Sequence, residues 1–434
     1  MSPGWDATDA KVPMKLLRTT GRTAKQTAQV LAQLEQRSGS SLEAVLPAVR
    51  KILEKVRKNG DEALQSFARK FDSLEQGQEI RISAAETAAA WEQLDPTLQQ
   101  ALKTAADNIR AFAQRQLPKS FAINPVPGLT TGQQVRPIPS VGCYVPGGRH
   151  PLPSTMLMTV IPAQVAGVPR IVVTSPHPAP ETLATAHLLG VTECYRVGGA
   201  HAIAALAYGT ESIAKVAKIV GPGNLYVTAA KREVAFDCAI DMLAGPTEIV
   251  LTSDLGHAAS IAADIVAQAE HDPEALAIFI TTKELLAREV IVETKFQARQ
   301  NPVAKQAIAK NGYVFVASTL EEAHTITNRL APEHLTVDSE ADLAWVQNAG
   351  SVFIGQHSPQ PMGDYISGPN HTLPTGGMAM IRGGLSVNDF VKLLTVQQYS
   401  PAALAELGPK AIRIAEAEGL TAHVEAIRAR IEAK

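Results

Sequence analysis

Lys218-Ile219-Val220-Gly221-Pro222-Gly223-Asn224 reads as a short apolar strand that runs into a glycine-punctuated turn, and a helix to about Val234 follows it. Two earlier segments repeat the pattern. Arg170-Ile171-Val172-Val173-Thr174 precedes a helix through Thr182–Leu189, and Cys194-Tyr195-Arg196-Val197 leads through Gly198-Gly199 into a helix that reaches Ala207. Short apolar strands alternating with helices are the signature of parallel βαβ units, with helices covering the faces of the sheet. The rhythm predicts further strands at Glu248–Thr252, Leu276–Thr281, Gly312–Ala317 and Ser351–Gly355. Helices are expected at Ala258–Ala269, Lys283–Arg299, Leu320–Leu330 and Ala341–Ala349. No internal repeat interrupts it.

The flanks differ. The first part of the chain reads as helical, with Leu42, Val45, Leu46, Val49, Ile52, Leu53 and Val56 at helical spacing and Gly60 as a stop. Ala84–Leu117 gives one or two more helices, broken at Pro96. From about Leu385 the pattern returns to helices, including Ala411–Glu418 and Ala422–Ala433. That tail has little of its own to bury against, so it is expected to dock on another domain or another subunit. The predicted fold class is α/β: two Rossmann-like parallel-sheet domains, a helical N-terminal segment and a helical C-terminal tail.

The 434 residues suit two to four domains of about 100–200 residues each. A formal net charge of −2 supplies no basic field for nucleic acid or an anionic membrane. No apolar run is long enough to span a bilayer. Met1–Arg22 lacks the apolar core of a signal peptide. Three widely spaced cysteines, Cys143, Cys194 and Cys238, suit reduced thiols and a cytoplasmic location.

Several constellations could carry chemistry. Gln268 and His271 stand three apart at the end of a predicted helix, so both can aim at one point. That pair could ligate a metal or simply be a polar helix end. Pro332-Glu333-His334 follows a helix and precedes the strand-like Leu335-Thr336-Val337; a carboxylate and an imidazole there could take protons from a substrate hydroxyl and a water. A histidine that favours the negative end of the helix dipole is the plainer alternative. The stretch from Gly363 to Gly377 is rich in Gly, Pro and Asn, and reads as a long ordered loop carrying Asp364 and His371. Glu418 and His423 lie in the tail. The turns at Gly198-Gly199 and Gly221-Pro222-Gly223 are natural anion seats. Neither completes the dinucleotide fingerprint; in the second, Gly221 and Gly223 are in place but Tyr226 stands where the third glycine belongs.

Together these segments resemble the histidinol dehydrogenase family. The resemblance runs from about Arg136 to His423. It rests on Val141-Gly142-Cys143-Tyr144-Val145-Pro146-Gly147-Gly148, on Val197 to Leu206, on Gly221-Pro222-Gly223-Asn224 and on Ile240 to Glu248. Gln268–His271, Pro332-Glu333-His334-Leu335, the loop around Asp364 and Leu420-Thr421-Ala422-His423 complete it. The resemblance implies one zinc ion per subunit held by Gln268, His271, Asp364 and His423, with His423 supplied by the partner in a domain-swapped homodimer. It implies Glu333 and His334 as the catalytic acid/base pair. Thr247, Gln268, His271, His334, Asp364, His371, Glu418 and His423 would bind the substrate, L-histidinol. Tyr144, His201 and Asn224 would bind NAD⁺, the co-substrate. The family commonly has Gln where this chain has His201 and Ser where it has Thr247. The implied reaction is the stepwise oxidation of L-histidinol to L-histidine through L-histidinaldehyde.

The expected division places an N-terminal segment at 1–30, a discontinuous main α/β domain at 31–140 plus 245–384, an inserted α/β domain at 141–244 and a tail at 385–434. Competing expectations are a paralogue that oxidises another polar alcohol such as sulfopropanediol, a zinc hydrolase, and a non-catalytic binding protein. Glu418 and His371 argue against the first, since an anionic substrate favours Arg or Lys there. The absence of H-E-x-x-H weakens the second. The complete set of polar site residues argues against the third.

Overall fold

The structure, a computed structural model, describes residues 14–37, 42–147 and 151–432. Gly148 of the quoted motif, residues 1–13 of the N-terminal segment, and Ala433 lie outside the described residues. The fold is mixed α/β and contains two six-stranded sheets and one of three strands.

In the first sheet the strand order is Lys15–Arg18, Gly312–Val316, Leu276–Thr281, Glu248–Thr252, His334–Val337 and Ser351–Ile354. All its pairs are parallel. The two central strands are buried along their whole length, which is why their sequences are apolar without alternation. Chain order reverses between Glu248–Thr252 and His334–Val337, and Ile249 pairs with His334. That register sets Thr247 and Glu248 beside Glu333 and His334.

The second sheet runs Arg81–Ile82, Glu193–Tyr195, Ile171–Thr174, Val141–Tyr144, Lys218–Val220 and Ala239–Ile240. Only Arg81–Ile82 is antiparallel. Its chain order reverses beside the central strand Val141–Tyr144. Helix Pro153–Ala166, almost entirely buried, packs against this sheet. The third sheet is antiparallel, ordered Val391–Tyr399, Leu129–Pro137 and Phe121–Val126.

Four differences from expectation have local causes. Lys15–Arg18 is an edge strand inside the N-terminal segment, too short to show a period. Val391–Tyr399 is a nine-residue strand where helices were expected; nearly all of it is exposed, so neither face imposes an alternation. The expected helix Ala341–Ala349 shrinks to the single 3-10 turn Glu340–Ala344, because the Asn328 side chain captures the amides of Gln347 and Asn348. Gly363–Gly377 is not wholly a loop. Pro361 opens a helical turn, Pro361–Tyr365, so Asp364 stands on a short helix and irregular chain begins at Ile366. Gly60 interrupts helix Leu46–Phe71 at φ 51°, as its position in the pattern predicts. No described helix is long and apolar enough to cross a membrane.

Candidate active site

Ligands in open α/β sheets usually bind outside the carboxyl ends of the strands, where chain order reverses. In the first sheet that place is filled from within. The Asp338 carboxylate accepts the Ser253 hydroxyl and the amides of Asp254 (2.9 Å) and Leu255 (3.2 Å). Asp254 is saturated by Thr281 and Thr282. The polar side chains without such mutual closure gather at the opposite, amino edge.

There a pocket of about 260 Å³ is lined by His334, Ser351, Phe353, Asp364, Asn370 and His371, among others. His334 starts the strand His334–Val337, Glu333 directly precedes it, and both are buried. Ala331, at φ 43°, turns the chain into them from helix Leu320–Leu330. The Glu333 Oε2 accepts the Thr247 hydroxyl at 2.7 Å and the Glu248 amide at 2.8 Å. Its other oxygen is left for a water or substrate. The His334 Nδ1 lies 3.1 Å from the Glu248 carbonyl, which can only accept, so this nitrogen carries the proton. Nε2 then faces Asp364, 3.8 Å away, from a ring that lines the pocket. Burial opposes a charge on His334, but the Glu333 and Asp364 carboxylates outweigh it and raise the ring to about 10.

Gln268 closes the helix Ala258–Ala269, and its side chain is buried. Its amide nitrogen donates to the Thr247 hydroxyl. Its Oε1 is buried with no partner. An amide oxygen left without a donor in such a setting is suited to a cation. His271 is exposed one turn on, and within electrostatic reach of Asp364. Burial works against the Asp364 charge, yet the rings of His334, His371 and His271 hold its carboxyl below the usual range. The Gln360 side chain, fully buried, donates to the other Asp364 oxygen at 3.2 Å. Gln268, His271 and Asp364 offer an amide oxygen, an imidazole and a carboxylate, the donor types that a mixed N/O zinc shell takes. Among the described residues no three His, Cys, Asp or Glu side chains form a metal cluster by themselves.

His371 is fixed by its own turn and by the second sheet. Its Nδ1 donates to the Asp364 carbonyl at 2.9 Å, and its Nε2 meets the Thr155 hydroxyl at 3.3 Å. Burial lowers its pKa, and because the Asp364 carbonyl can only accept, Nδ1 carries the proton. Asn370 anchors the same turn to the Met158 carbonyl at 2.6 Å.

Glu418 and His423 are exposed in the tail and do not line the pocket. The chain does not bring either one to the other site residues.

The three residues expected at the cofactor stand around the carboxyl edge of the second sheet. Tyr144 ends the central strand; its buried hydroxyl accepts the Gly199 amide at 3.1 Å, and burial pushes its pKa up. His201 is buried with Nε2 2.6 Å from Asp72, which also accepts the Gly198 amide. Asn224 caps helix Leu225–Val234 by accepting the amides of Tyr226 and Val227. Gly221, at φ 112°, passes so close to the Tyr144 carbonyl that a Cβ there would collide. Sequence reasoning missed Thr155, Gln360, Asp72, Arg37 and Glu248 as supports of these residues. Only the Glu248 position fell inside a quoted motif.

The family model described as histidinol dehydrogenase matches residues 35–431. A histidinol dehydrogenase of Oceanobacillus iheyensis is 46% identical over 396 residues, covering 88% of this chain and 92% of the relative. One of Methanosarcina barkeri is 44% identical over 407 residues, covering 90% and 93%. The crystal structure of histidinol dehydrogenase from Elizabethkingia anophelis superposes with a TM-score of 0.90 at 35% identity, covering 96% of this chain and 98% of that one.

Proposed function

The chain belongs to the histidinol dehydrogenase family, and from that premise we propose that it oxidises L-histidinol to L-histidine through L-histidinaldehyde, reducing two NAD⁺. The supporting observation is that His334 and Asp364 line one pocket while Thr247 ties Gln268 to Glu333 beside them, with the Gln268 Oε1 unpartnered.

His334 acts as the base for the alcohol. Its Nδ1 proton is held on the Glu248 carbonyl, so Nε2 receives the proton as hydride leaves the carbinol carbon for NAD⁺. For the aldehyde, Glu333 draws a proton from water through its unengaged oxygen while Thr247 and the Glu248 amide hold the other. As the water adds, His334 returns its proton to the aldehyde oxygen; the hydrate so formed loses a second hydride to a second NAD⁺, and the neutral His334 accepts the hydroxyl proton. Gln268, His271, Asp364 and the partner's His423 would hold zinc, which would supply a fixed positive charge that orients the substrate. The Glu333 and Asp364 carboxylates favour the protonated ring, so they assist the step in which Nε2 takes the proton. His371 and the partner's Glu418 bind the substrate ends. Tyr144, His201 and Asn224 bound the cofactor seat at the carboxyl edge of the second sheet. The protein acts as a tail-swapped homodimer in the cytoplasm. Its main α/β domain takes 245–384 and its inserted one 141–244; Arg81–Ile82 pairs in the second sheet and the helices around it pack there, so most of 31–140 goes with the latter.

The test is the yield of NADH per L-histidinol consumed, before and after chelation. Two NADH, lost on chelation and restored by zinc, is the expected outcome. One NADH with free aldehyde would remove Glu333 from the second step.

A further inference from the structure

We infer that Arg37, at the end of helix Ala24–Glu35, is a positioning residue that sets the geometry of Glu333 and His334 through Glu248. This rests on the oxidation proposed above. One guanidinium holds three chain segments. Its Nε and one Nη grip the two Glu248 oxygens, each at 2.7 Å. The same Nη donates to the Leu330 carbonyl at 2.6 Å, and the other Nη to Leu34 at 2.7 Å. Glu248 passes the constraint on: its Oε1 also takes the Gly376 amide at 3.0 Å. The segments so joined are the strand after Thr247, the chain that enters Glu333-His334, and the end of the loop that carries His371.

The backbone of Glu248 is what makes this matter to chemistry. Its amide holds the Glu333 carboxylate at 2.8 Å and its carbonyl sets the His334 tautomer at 3.1 Å. Both proposed proton acceptors therefore take their orientation from one residue. That residue's side chain is buried and bound bidentately by Arg37, whose own side chain is only 13% exposed. A buried fork-to-fork pair fixes direction as well as distance. Lysine keeps the charge but not the fork. Removing the guanidinium leaves a buried carboxylate without its counter-charge, which forces the segment to rearrange. Arg37 touches neither pocket nor cofactor seat, so a loss of chemistry there reports orientation alone.

The experiment compares Arg37→Lys and Arg37→Leu with the wild type in steady-state NADH formation from L-histidinol. Thermal melting checks the fold, and low-millimolar guanidinium chloride is added to each. Arg37→Leu is expected to lose about 10–100-fold in kcat with little change in KM, since displacements near 1 Å cost that much. Arg37→Lys falls between, and guanidinium restores part of the Arg37→Leu rate without affecting the wild type. A folded Arg37→Leu with wild-type kcat, or a loss that guanidinium never restores and that melting alone accounts for, overturns the role. If Arg37→Leu does not fold, Arg37→Lys decides: kcat lowered at least about fivefold supports the role, and kcat within about twofold of wild type overturns it. Wild-type protein that forms no NADH overturns the proposed function as well; active wild type with unimpaired variants overturns Arg37 alone.

Discussion

The hydroxyl of Thr247 decides which way Gln268 faces. It accepts the Gln268 amide nitrogen and donates its own proton to Glu333. A primary amide has two ends, and with the nitrogen so held the oxygen must face the other way, where it has no partner. The same hydroxyl thus orients a proposed metal ligand and a proposed proton acceptor. Thr247→Val keeps the shape and deletes both hydrogen bonds. Zinc affinity, measured by competition with a chromophoric chelator, is expected to fall about 10–100-fold, the usual cost of losing a group that orients a ligand. Thr247→Ser should stay within about threefold of wild type, since the hydroxyl remains. Undiminished affinity in Thr247→Val would mean that Gln268 is oriented by something else, or is not a ligand.

Helix Ala258–Ala269 carries a second polar group under strain. Asp264 stands one turn before Gln268. Burial raises its carboxyl to about 6, only partly offset by the Gln360 amide. Its folded value lies above the unfolded value of about 3.9. Its contribution to stability is therefore complete below the unfolded value and is lost as pH rises to about 6. Asp264→Asn, neutral at every pH, should gain in melting temperature over wild type as pH rises from 4 toward 7 and hold a constant advantage above. A gap that does not change with pH would place the carboxylate in solvent. This helix also shows what the sequence could and could not tell. Its limits were legible because periodicity is local. So were the strands on either side, each apolar because both faces are covered. The Arg37 clamp was not legible. It joins positions far apart in the chain, and an arginine after a helix reads as a solvated end. The edge strand Val391–Tyr399 escaped for the opposite reason: with almost every residue exposed, burial left no pattern to read. Thr155 and Gln360 escaped because a polar residue's direction depends on packing that spacing does not encode.

At the scale of the molecule the site is unfinished. Glu418 and His423 are exposed and stand apart from the pocket, whereas the proposed zinc site calls for a fourth donor beside Gln268, His271 and Asp364. The tail that bears them also has an unfinished surface. Leu393, Leu394, Val396 and Tyr399 on its strand are 44–52% exposed, and Ile414 is 64% exposed. An apolar stretch of that kind calls for a covering surface. A second copy would supply it, and in a twofold dimer each tail could complete the other's pocket. Two inactive variants then become a test. In a heterodimer of Glu333→Gln with His423→Ala, the site built on the second chain keeps its own Glu333 and receives an intact His423 from the first. The remaining site has both defects. Random reassociation makes half of the dimers hetero, and half of their sites are whole, so the mixture should regain about a quarter of wild-type activity. Read as L-histidine formed, the product that needs both steps, each variant alone should stay near zero. If the mixture stays near zero after subunit exchange has been verified, each chain uses its own His423, and the tail must fold back onto its own pocket.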